Sequence, residues 1–377
     1  ETSYHGKGAI ESIPEEAKAR GFKKALVCSD PDLVKFGVTA KVTDLLDKAG
    51  LAYELYSNIK PNPTIENVQQ GVKALHDAGA DYMIAIGGGS SMDTAKAVGI
   101  IDKNPEFADV RSLEGVAPTK NPCTPIFAVP TTAGTAAEVT INYVITDVEK
   151  DRKMVCVDVH DIPVVAFVDP DMMSSMPKGL TAATGMDALT HCIEAYTNKF
   201  AHPIVDMYAL QGIKLIASNI FKAVTDGNNV EAREAMALGS MYGGLCLGPV
   251  NTAAVHALSY PLGGEFHISH GLSNAILLPS VMKFNYTANP KKYADIAIAF
   301  GAKRGTTDEE TALNGVDYIT NLSIKCGIPT TLTEIGIPQK AVSRMAKAAM
   351  KVQRLLKNNP REVTETDACD IYNNLYK

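Results

Sequence analysis

The chain has 377 residues, enough for two domains with full hydrophobic cores. Its 36 basic and 42 acidic residues give a net charge of −6, which argues against a general nucleic-acid binder. Seven scattered cysteines without a CxxC pair favour free thiols in a reducing cytoplasm. No apolar run reaches the ~18 residues of a membrane span. We therefore expect a cytoplasmic protein without nucleic-acid or membrane partners.

The first half of the chain alternates short apolar runs with helical patterns. The apolar runs predict strands at residues 24–29, 51–56, 81–86, 125–129 and 164–168. Between the first three runs, apolar residues recur at helical spacing, and each helical segment ends at a glycine, Gly50 or Gly79. Unbroken apolar strands separated by helices are typical of a parallel sheet covered on both faces. Residues 1–177 are therefore predicted to form an α/β domain.

The second half has a mainly helical period. An apolar stripe runs from Val205 to Ile220, and further helical patterns occupy residues 232–248, 272–286, 290–301, 308–326 and 339–355. Strand signals are scarce there. The period changes near Pro177, which predicts an all-helical second domain over residues 178–377.

A glycine-rich turn follows the third predicted strand. Gly87, Gly88, Gly89 and Ser90 separate that strand from a helical segment that contains Asp93. Such a turn lets backbone amides approach a pyrophosphate at the positive end of a helix. The pattern is neither GxGxxG nor a P-loop, so a plain tight turn is the alternative interpretation.

Two further loops follow predicted strands. Asp30 ends the first strand, where a carboxylate can bond a ribose 2′-hydroxyl or, equally, cap the next helix. Thr131, Thr132 and Thr135 follow the fourth strand. Their hydroxyls could bond phosphates or a nicotinamide amide, although such a loop is more often simply a packed turn.

A candidate metal site lies in the helical half. Asp187 and His191 are four residues apart, on one face of a helix with apolar neighbours. His256 and His270 follow further along the chain. Three imidazoles and one carboxylate suit a divalent transition metal such as Fe²⁺ or Zn²⁺. An Asp–His pair at this spacing is also a common structural hydrogen bond.

Together, several segments resemble the iron-type, group III metal-dependent alcohol dehydrogenases over nearly the whole chain. They occupy residues 61–64, 85–90, 105–115, 130–142, 183–191 and 270–279. The resemblance implies a fold shared with dehydroquinate synthase: an α/β dinucleotide-binding domain, an all-helical metal domain and an active site in the cleft between them. It also implies a homodimer.

The resemblance also implies roles for individual residues of this chain, position by position. It implies that a metal ion, Fe²⁺ with Zn²⁺ or another divalent ion as the alternative, is bound by Asp187, His191, His256 and His270. Asp30 matches the residue that favours NAD over NADP. The remaining NAD(H) contacts implied by the resemblance are Gly87, Gly88, Gly89, Ser90, Asp93, Thr131, Thr132, Thr135, Asn142 and Lys153.

The implied activity is NADH-dependent reduction of a small polar aldehyde to its alcohol. The match is strongest to the lactaldehyde-reducing branch, which usually carries a histidine where this chain has Tyr260. That departure leaves 3-hydroxypropionaldehyde, glycolaldehyde and sulfoacetaldehyde as alternative substrates. The proton route could use Tyr260, His267 or water, and a tyrosine of ordinary pKa, ~10, is a poor base at neutral pH.

Other classes of protein share parts of this pattern. A dehydroquinate synthase-like lyase would need a dense set of lysines and arginines around a phosphorylated substrate, and no such cluster surrounds His256 or His270 in the sequence. A hydroxyacid–oxoacid transhydrogenase would keep its nucleotide bound through the cycle. A non-enzymatic NAD-binding regulator would have no need of four intact metal ligands.

Overall fold

The computed structural model describes residues 2–150 and 152–376. These residues form two compact units. The first unit runs to Thr132 and continues through Ala136–Ser175, and the second consists of Ala133–Thr135 and the chain from Met176 onward. Within the described residues, no helix is both long and apolar enough to cross a membrane.

The first unit is built on a parallel sheet. Its strands are β1 (Thr2–His5), β2 (Lys24–Cys28), β3 (Ala52–Tyr56), β4 (Tyr82–Gly87), β5 (Ile126–Pro130), β6 (Asn142–Asp147), β7 (Arg152–Val157) and β8 (Val165–Val168). Its helices are α1 (Ile13–Ala19), α2 (Pro31–Lys35), α3 (Ala40–Ala49), α4 (Ile65–Ala78) and α5 (Gly89–Lys103). Six strands form one sheet in the order β1–β8–β5–β4–β2–β3, all parallel. The predicted parallel sheet is confirmed, and the predicted strand ends differ by single residues.

Helices cover both faces of this sheet. On β4, Ile84 packs in one buried cluster with Val42 of α3, and Met83 packs in the other with Val98 of α5. Burial on both faces explains why the strands are unbroken apolar runs. Because the strands are parallel, the carboxyl ends of the neighbouring strands β2, β4 and β5 lie along one edge of the sheet.

An antiparallel hairpin of β6 and β7 lies outside that sheet, and the sequence patterns do not predict it. Asn142 pairs with Val157 at its open end and Asp147 with Arg152 at its turn. Along β6, fully buried and half-buried residues alternate. Such alternation is a weaker signal than a continuous apolar run, so it escapes a search for buried parallel strands.

The second unit is helical, as predicted. Its helices are α6 (Lys178–Thr197), α7 (Pro203–Thr225), α8 (Val230–Val250), α9 (Ala254–Phe266), α10 (His270–Asn285), α11 (Pro290–Phe300), α12 (Asp308–Lys325), α13 (Val342–Ala349), α14 (Gln353–Leu356) and α15 (Glu365–Asn373). The helix expected over residues 339–355 is not continuous. The chain turns at Val352 (φ −87°, ψ 49°), and Leu355 and Leu356 beyond it are both buried.

Candidate active site

Helix α6 carries the first two residues of the candidate metal site. The helix is buried over most of its length, so its polar side chains need partners inside the protein. Asp187 and His191 lie one turn apart on it, with 2% and 4% of their surface exposed. The carboxylate and the imidazole therefore face the same buried space.

Two other helices bring the remaining histidines to the same place. His256 lies in the first turn of α9, a helix that the sequence patterns did not single out, and His270 is the first residue of α10. The rings of His191 and His256 are stacked, with centroids 4.9 Å apart and planes inclined by 18°. The His256 and His270 ring centroids are 5.1 Å apart.

The four predicted ligand residues converge on one point. Asp187 Oδ1 lies 3.7 Å from His191 Nε2, 3.5 Å from His256 Nε2 and 3.6 Å from His270 Nε2. One ligand atom from each residue lies within 4.8 Å of all the others. Ligands ~2.1 Å from a tetrahedral metal ion are themselves ~3.4 Å apart, so these residues fit a metal ion. Three imidazoles and a carboxylate are a donor set suited to Fe²⁺ or Zn²⁺.

The electrostatics of the cluster favour a cation. Burial acts to raise the pKa of the Asp187 carboxyl, but the charges of His191, His270 and His256 outweigh burial and hold that pKa well below its usual range. At His256, burial acts to lower the pKa, whereas Glu194 and Asp187 raise it to about 9. The Asp187 carboxylate is therefore ionised at neutral pH, the form that binds a metal ion.

Glu194 supports this cluster and is not among the predicted site residues. It lies on α6 and is 4% exposed. Its Oε2 accepts a hydrogen bond from His256 Nδ1 at 2.6 Å, and its Oε1 accepts one from the Val255 amide at 2.6 Å. With one proton held on Nδ1 by Glu194, Nε2 is the nitrogen that faces Asp187, and a metal ion bound there would displace the second proton. This arrangement of carboxylate and histidine fixes the tautomer that binds metals.

Asn274 is the second supporting residue that sequence reasoning missed. Its Nδ2 lies 2.7 Å from Asp187 Oδ1, 3.1 Å from His256 Nε2 and 3.2 Å from His270 Nε2, and its side chain is fully buried. Helical spacing could have identified both supporting residues. Asn274 follows His270 by four residues, and Glu194 follows Asp187 by seven on the same helix.

The two predicted proton carriers lie in different environments. Tyr260 follows His256 by one turn of α9, is half-buried, and has its ring centroid 6.4 Å from that of His270. Its Oη accepts a hydrogen bond from Arg354 Nη2 at 3.0 Å. His267 is exposed and ends α9 in the left-handed conformation, with φ 56°. The structure therefore places Tyr260 on the helix face that carries His256.

The predicted glycine-rich turn joins β4 directly to α5. Gly87 ends β4 with φ 149°, and a Cβ atom there would collide with the Ser91 side chain, so this position requires glycine. Gly88 precedes α5 as its N-cap residue and has no side chain that could cap the amides of the first turn of that helix. Gly89 and Ser90 begin α5. Uncapped amides at the positive end of a helix are well suited to bind an anion such as a phosphate.

The other predicted loops lie at the same edge of the sheet. After β2 the chain passes to β3 on one side and then to β4 on the other, so the gap between β2 and β4 is the switch point where such sheets bind ligands. Asp30 follows β2, and its Oδ1 accepts the Leu33 amide at 2.8 Å. The helix cap, which was the alternative prediction for Asp30, is therefore confirmed, and the ribose contact stays a prediction.

The threonine loop divides between the two units. Thr131 directly follows β5, and its amide donates to the Gly87 carbonyl at 2.9 Å. The Thr132 side chain lies 3.1 Å from the position of a Cβ atom on Gly88. Both threonines therefore adjoin the glycine-rich turn. Thr135 belongs to the short segment grouped with the second unit.

The predicted cofactor residues Asn142 and Lys153 lie on the β6–β7 hairpin, and a buried lysine of α5 bonds to the start of that hairpin. Lys96 is fully buried, and its Nζ donates to the Asn142 carbonyl at 3.0 Å and to the Thr140 carbonyl at 2.6 Å. Burial raises the pKa of Asp93 to about 7, against the opposing charges of Lys96 and Lys153. Lys153 on β7 donates to Asn62 Oδ1 at 2.9 Å.

Comparisons with known proteins place this geometry in a family. The family model described as "Iron-containing alcohol dehydrogenase" matches residues 1–170, and "Fe-containing alcohol dehydrogenase family, C-terminal" matches residues 181–376. A lactaldehyde reductase of Escherichia coli (strain K12) is 48% identical over 373 residues, covering 99% of this chain and 97% of the relative. A 1,3-propanediol dehydrogenase of Klebsiella pneumoniae is 38% identical, covering 98% and 96%. A crystal structure of a 1,3-propanediol oxidoreductase matches with a TM-score of 0.96 at 38% identity, covering 100% of this chain and 98% of the other.

The chain therefore belongs to the iron-containing alcohol dehydrogenase family. The resemblance based on motifs at 85–90, 183–191 and 270–279 is confirmed at the level of the family, and so is the prediction of an oxidoreductase. Family membership implies a metal ion and a nicotinamide dinucleotide, and the structure contains a cluster of histidines and an aspartate that fits the metal.

Proposed function

We propose that the protein is an NAD(H)- and metal-dependent reductase of a small polar aldehyde, of the type that converts lactaldehyde to 1,2-propanediol. The convergence of Asp187, His191, His256 and His270 carries this proposal, supported by 48% identity to a lactaldehyde reductase. Glycolaldehyde, 3-hydroxypropionaldehyde and sulfoacetaldehyde are the alternative substrates. We propose Fe²⁺ as the metal from the family, with Zn²⁺ as its strongest competitor at sites of this donor type.

A metal ion held by the four ligands would act as a Lewis acid toward the substrate oxygen. The overall reaction consumes one aldehyde, one NADH and one proton, and it yields an alcohol and NAD⁺. Glu194 holds the His256 proton on Nδ1, which keeps Nε2 available as a ligand. Tyr260 keeps its phenolic proton because burial raises its pKa, so it can donate to the product oxygen and be reprotonated from water. His267 is the alternative donor.

We propose that the first half of the chain, residues 1–177, binds the dinucleotide, and that residues 178–377 bind the metal. Gly87, Gly88, Gly89 and Ser90 would hold the pyrophosphate through backbone amides. Asp30 would favour NAD, because a carboxylate beside the ribose bonds its 2′-hydroxyl and repels a 2′-phosphate. The further contacts would come from Asp93, Thr131, Thr132, Thr135, Asn142 and Lys153.

We also propose a cytoplasmic homodimer. β1 is the outermost strand of its sheet and pairs with β8 on one side. Its other edge suits pairing with a second copy of the chain. All seven cysteines are free thiols, which supports a reducing compartment. Light scattering should give twice the mass of the chain, and a monomer at assay concentrations would contradict the dimer.

The decisive experiment measures NADH oxidation with a panel of small aldehydes. The purified protein is assayed as isolated, after treatment with a chelator, and after addition of Fe²⁺ or Zn²⁺ under anaerobic conditions. We expect oxidation of free NADH with at least one aldehyde, loss after chelation and recovery with metal. Activity that survives complete metal removal would contradict the mechanism. Hydride exchange between two carbonyl compounds without release of NADH would indicate a transhydrogenase instead.

A further inference from the structure

An arginine with an uncompensated charge adjoins the candidate active site. Arg354 lies on α14, is exposed, and donates from Nη2 to Tyr260 Oη at 3.0 Å. Within the described residues, no carboxylate lies within ion-pair distance of its guanidinium. Arg344, by contrast, forms an ion pair with Glu265. Arg354 therefore presents a positive charge that the surrounding residues do not neutralise.

Tyr260 connects this charge to the metal-ligand cluster. It lies one turn from His256 on α9, and its ring centroid is 6.4 Å from that of His270. Burial has the largest effect on the Tyr260 pKa and raises it, Arg354 lowers it, and Glu194 and Asp187 raise it further. The hydroxyl is thus within electrostatic reach both of Arg354 and of the buried carboxylates in and beside the cluster.

We propose that Arg354 and Tyr260 form a recognition site for an anionic substituent, so that the preferred aldehydes carry a carboxylate or a sulfonate. This inference rests on the proposed function as a reductase of small polar aldehydes, and among the candidate substrates it favours anionic ones such as sulfoacetaldehyde over neutral lactaldehyde. The aldehyde group would be directed to the metal-ligand cluster, and the anionic end would lie at Arg354.

The chemistry of the pair suits an oxyanion. A guanidinium has five N–H donors in a planar fork, and Tyr260 accepts from one nitrogen of that fork. A carboxylate or sulfonate can accept two parallel hydrogen bonds from such a fork. Because the Tyr260 oxygen accepts from Arg354, its own O–H remains able to donate to the same anion, and with such substrates the proton for the product oxygen would come from His267 or water. The two residues would therefore bind one anionic group from two directions.

The test compares aldehydes that differ in charge but little in size. One pair is succinic semialdehyde and 4-hydroxybutanal, and the other is sulfoacetaldehyde and 3-hydroxypropionaldehyde, so that carboxylate and sulfonate are distinguished. We expect kcat/KM of the wild-type enzyme to favour the anionic member of at least one pair by about 10-fold or more. Because Arg354→Gln removes charge-assisted hydrogen bonds to the anion, it should lower the anionic-to-neutral ratio by about 10- to 100-fold, mainly through KM.

Two controls keep the result specific. Lys357→Gln removes an exposed positive charge three residues further on and should leave the ratio unchanged. Raising the salt concentration should lower kcat/KM of the wild-type enzyme for the anionic aldehyde more than for the neutral one, because salt screens an exposed cation. The salt measurement needs no variant, so it tests the inference even if Arg354→Gln folds poorly.

The possible failures are distinguishable. If the wild-type enzyme reduces neutral aldehydes as well as or better than their anionic partners, or if Arg354→Gln leaves the ratio unchanged, this inference is wrong and the proposed function stands. If no aldehyde supports NADH oxidation, the proposed function itself fails.

Discussion

The two candidate binding regions are built from different parts of the chain. In the first unit, the region around the glycine-rich turn consists of backbone at the carboxyl ends of parallel strands, and Gly87 (φ 149°) is needed there because it lacks a side chain. In the second unit, the metal-ligand cluster consists of side chains from three separate helices, α6, α9 and α10. The first region therefore depends on backbone conformation, and the second on the chemical identity of a few residues. Single substitutions should separate the two functions.

The largest effect is expected from His256→Ala, which removes a ligand from the cluster and leaves the first unit untouched. Metal content should fall to background. The metal-dependent kcat/KM should fall by more than the ~10–100-fold that loss of an outer-shell partner typically costs. The Kd for NADH, measured by fluorescence titration, should change less than twofold. Elemental analysis of the anaerobically purified variant measures the metal.

The control for this variant is His76→Ala. His76 is an exposed histidine of the first unit that bonds Asp102, and its loss should change neither metal content nor turnover. His256→Ala also leaves the buried Glu194 carboxylate without its imidazole partner, so circular dichroism must show that the protein is folded at the assay temperature. Normal turnover in a folded His256→Ala protein would rule out the four-residue metal site.

The converse substitution is Gly87→Ala. An alanine there must adopt a positive φ and displace Ser91 at the start of α5, which would misalign the amides of the first helical turn. We expect the Kd for NADH to rise by about 10-fold or more and the melting temperature to fall, since such backbone strain costs ~1–3 kcal/mol. Metal content should stay at the wild-type level.

Gly179→Ala is the matched control, because Gly179 lies in the first turn of α6 with open space around its Cβ position. That alanine should leave NADH binding unchanged and slightly raise stability. A Gly87→Ala protein that binds NADH normally would show that the cofactor does not depend on this turn.

The contrast between the regions also explains how much could be predicted from the sequence. The central strands are predictable because burial on both faces makes them continuous apolar runs. β1 is not, because Thr2–His5 is short and largely exposed and is a strand only through its pairing with β8. The β6–β7 hairpin was not predicted, because alternating burial gives a weaker sequence pattern than a continuous apolar run.

The candidate site, too, could be predicted from the sequence only where the pattern is local. Asp187 and His191 could be singled out because their spacing is local. His256 and His270 were candidates by residue type alone, and the family resemblance then assigned them as ligands. Helical spacing places Glu194 on the face of α6 that carries Asp187 but does not show that it binds His256, and Arg354 could not be connected to the site at all, because their partners lie 62 and 94 positions away in the sequence. Such contacts arise only when helices pack, so local periodicity indicates a buried polar residue without showing what it binds.

Glu194→Gln leaves all four ligands in place and gives the sharpest test of the comparison. The glutamine is nearly isosteric and can still accept the Val255 amide or the His256 proton, but it lacks the charge that stabilises the His256 tautomer. If side-chain chemistry defines the metal-ligand cluster, removing one charge outside the four ligands should weaken metal binding by about 10- to 100-fold while NADH binding stays unchanged. Competition with a chelator of known affinity measures the metal Kd.

Glu265→Gln is the control, because it makes the same change on the exposed surface of α9, where Glu265 pairs with Arg344. It should leave the metal Kd unchanged. Equal metal affinities for the Glu194→Gln and wild-type proteins would mean that packing alone orients His256. The metal-ligand cluster would then depend on the backbone fold as much as the glycine-rich turn does.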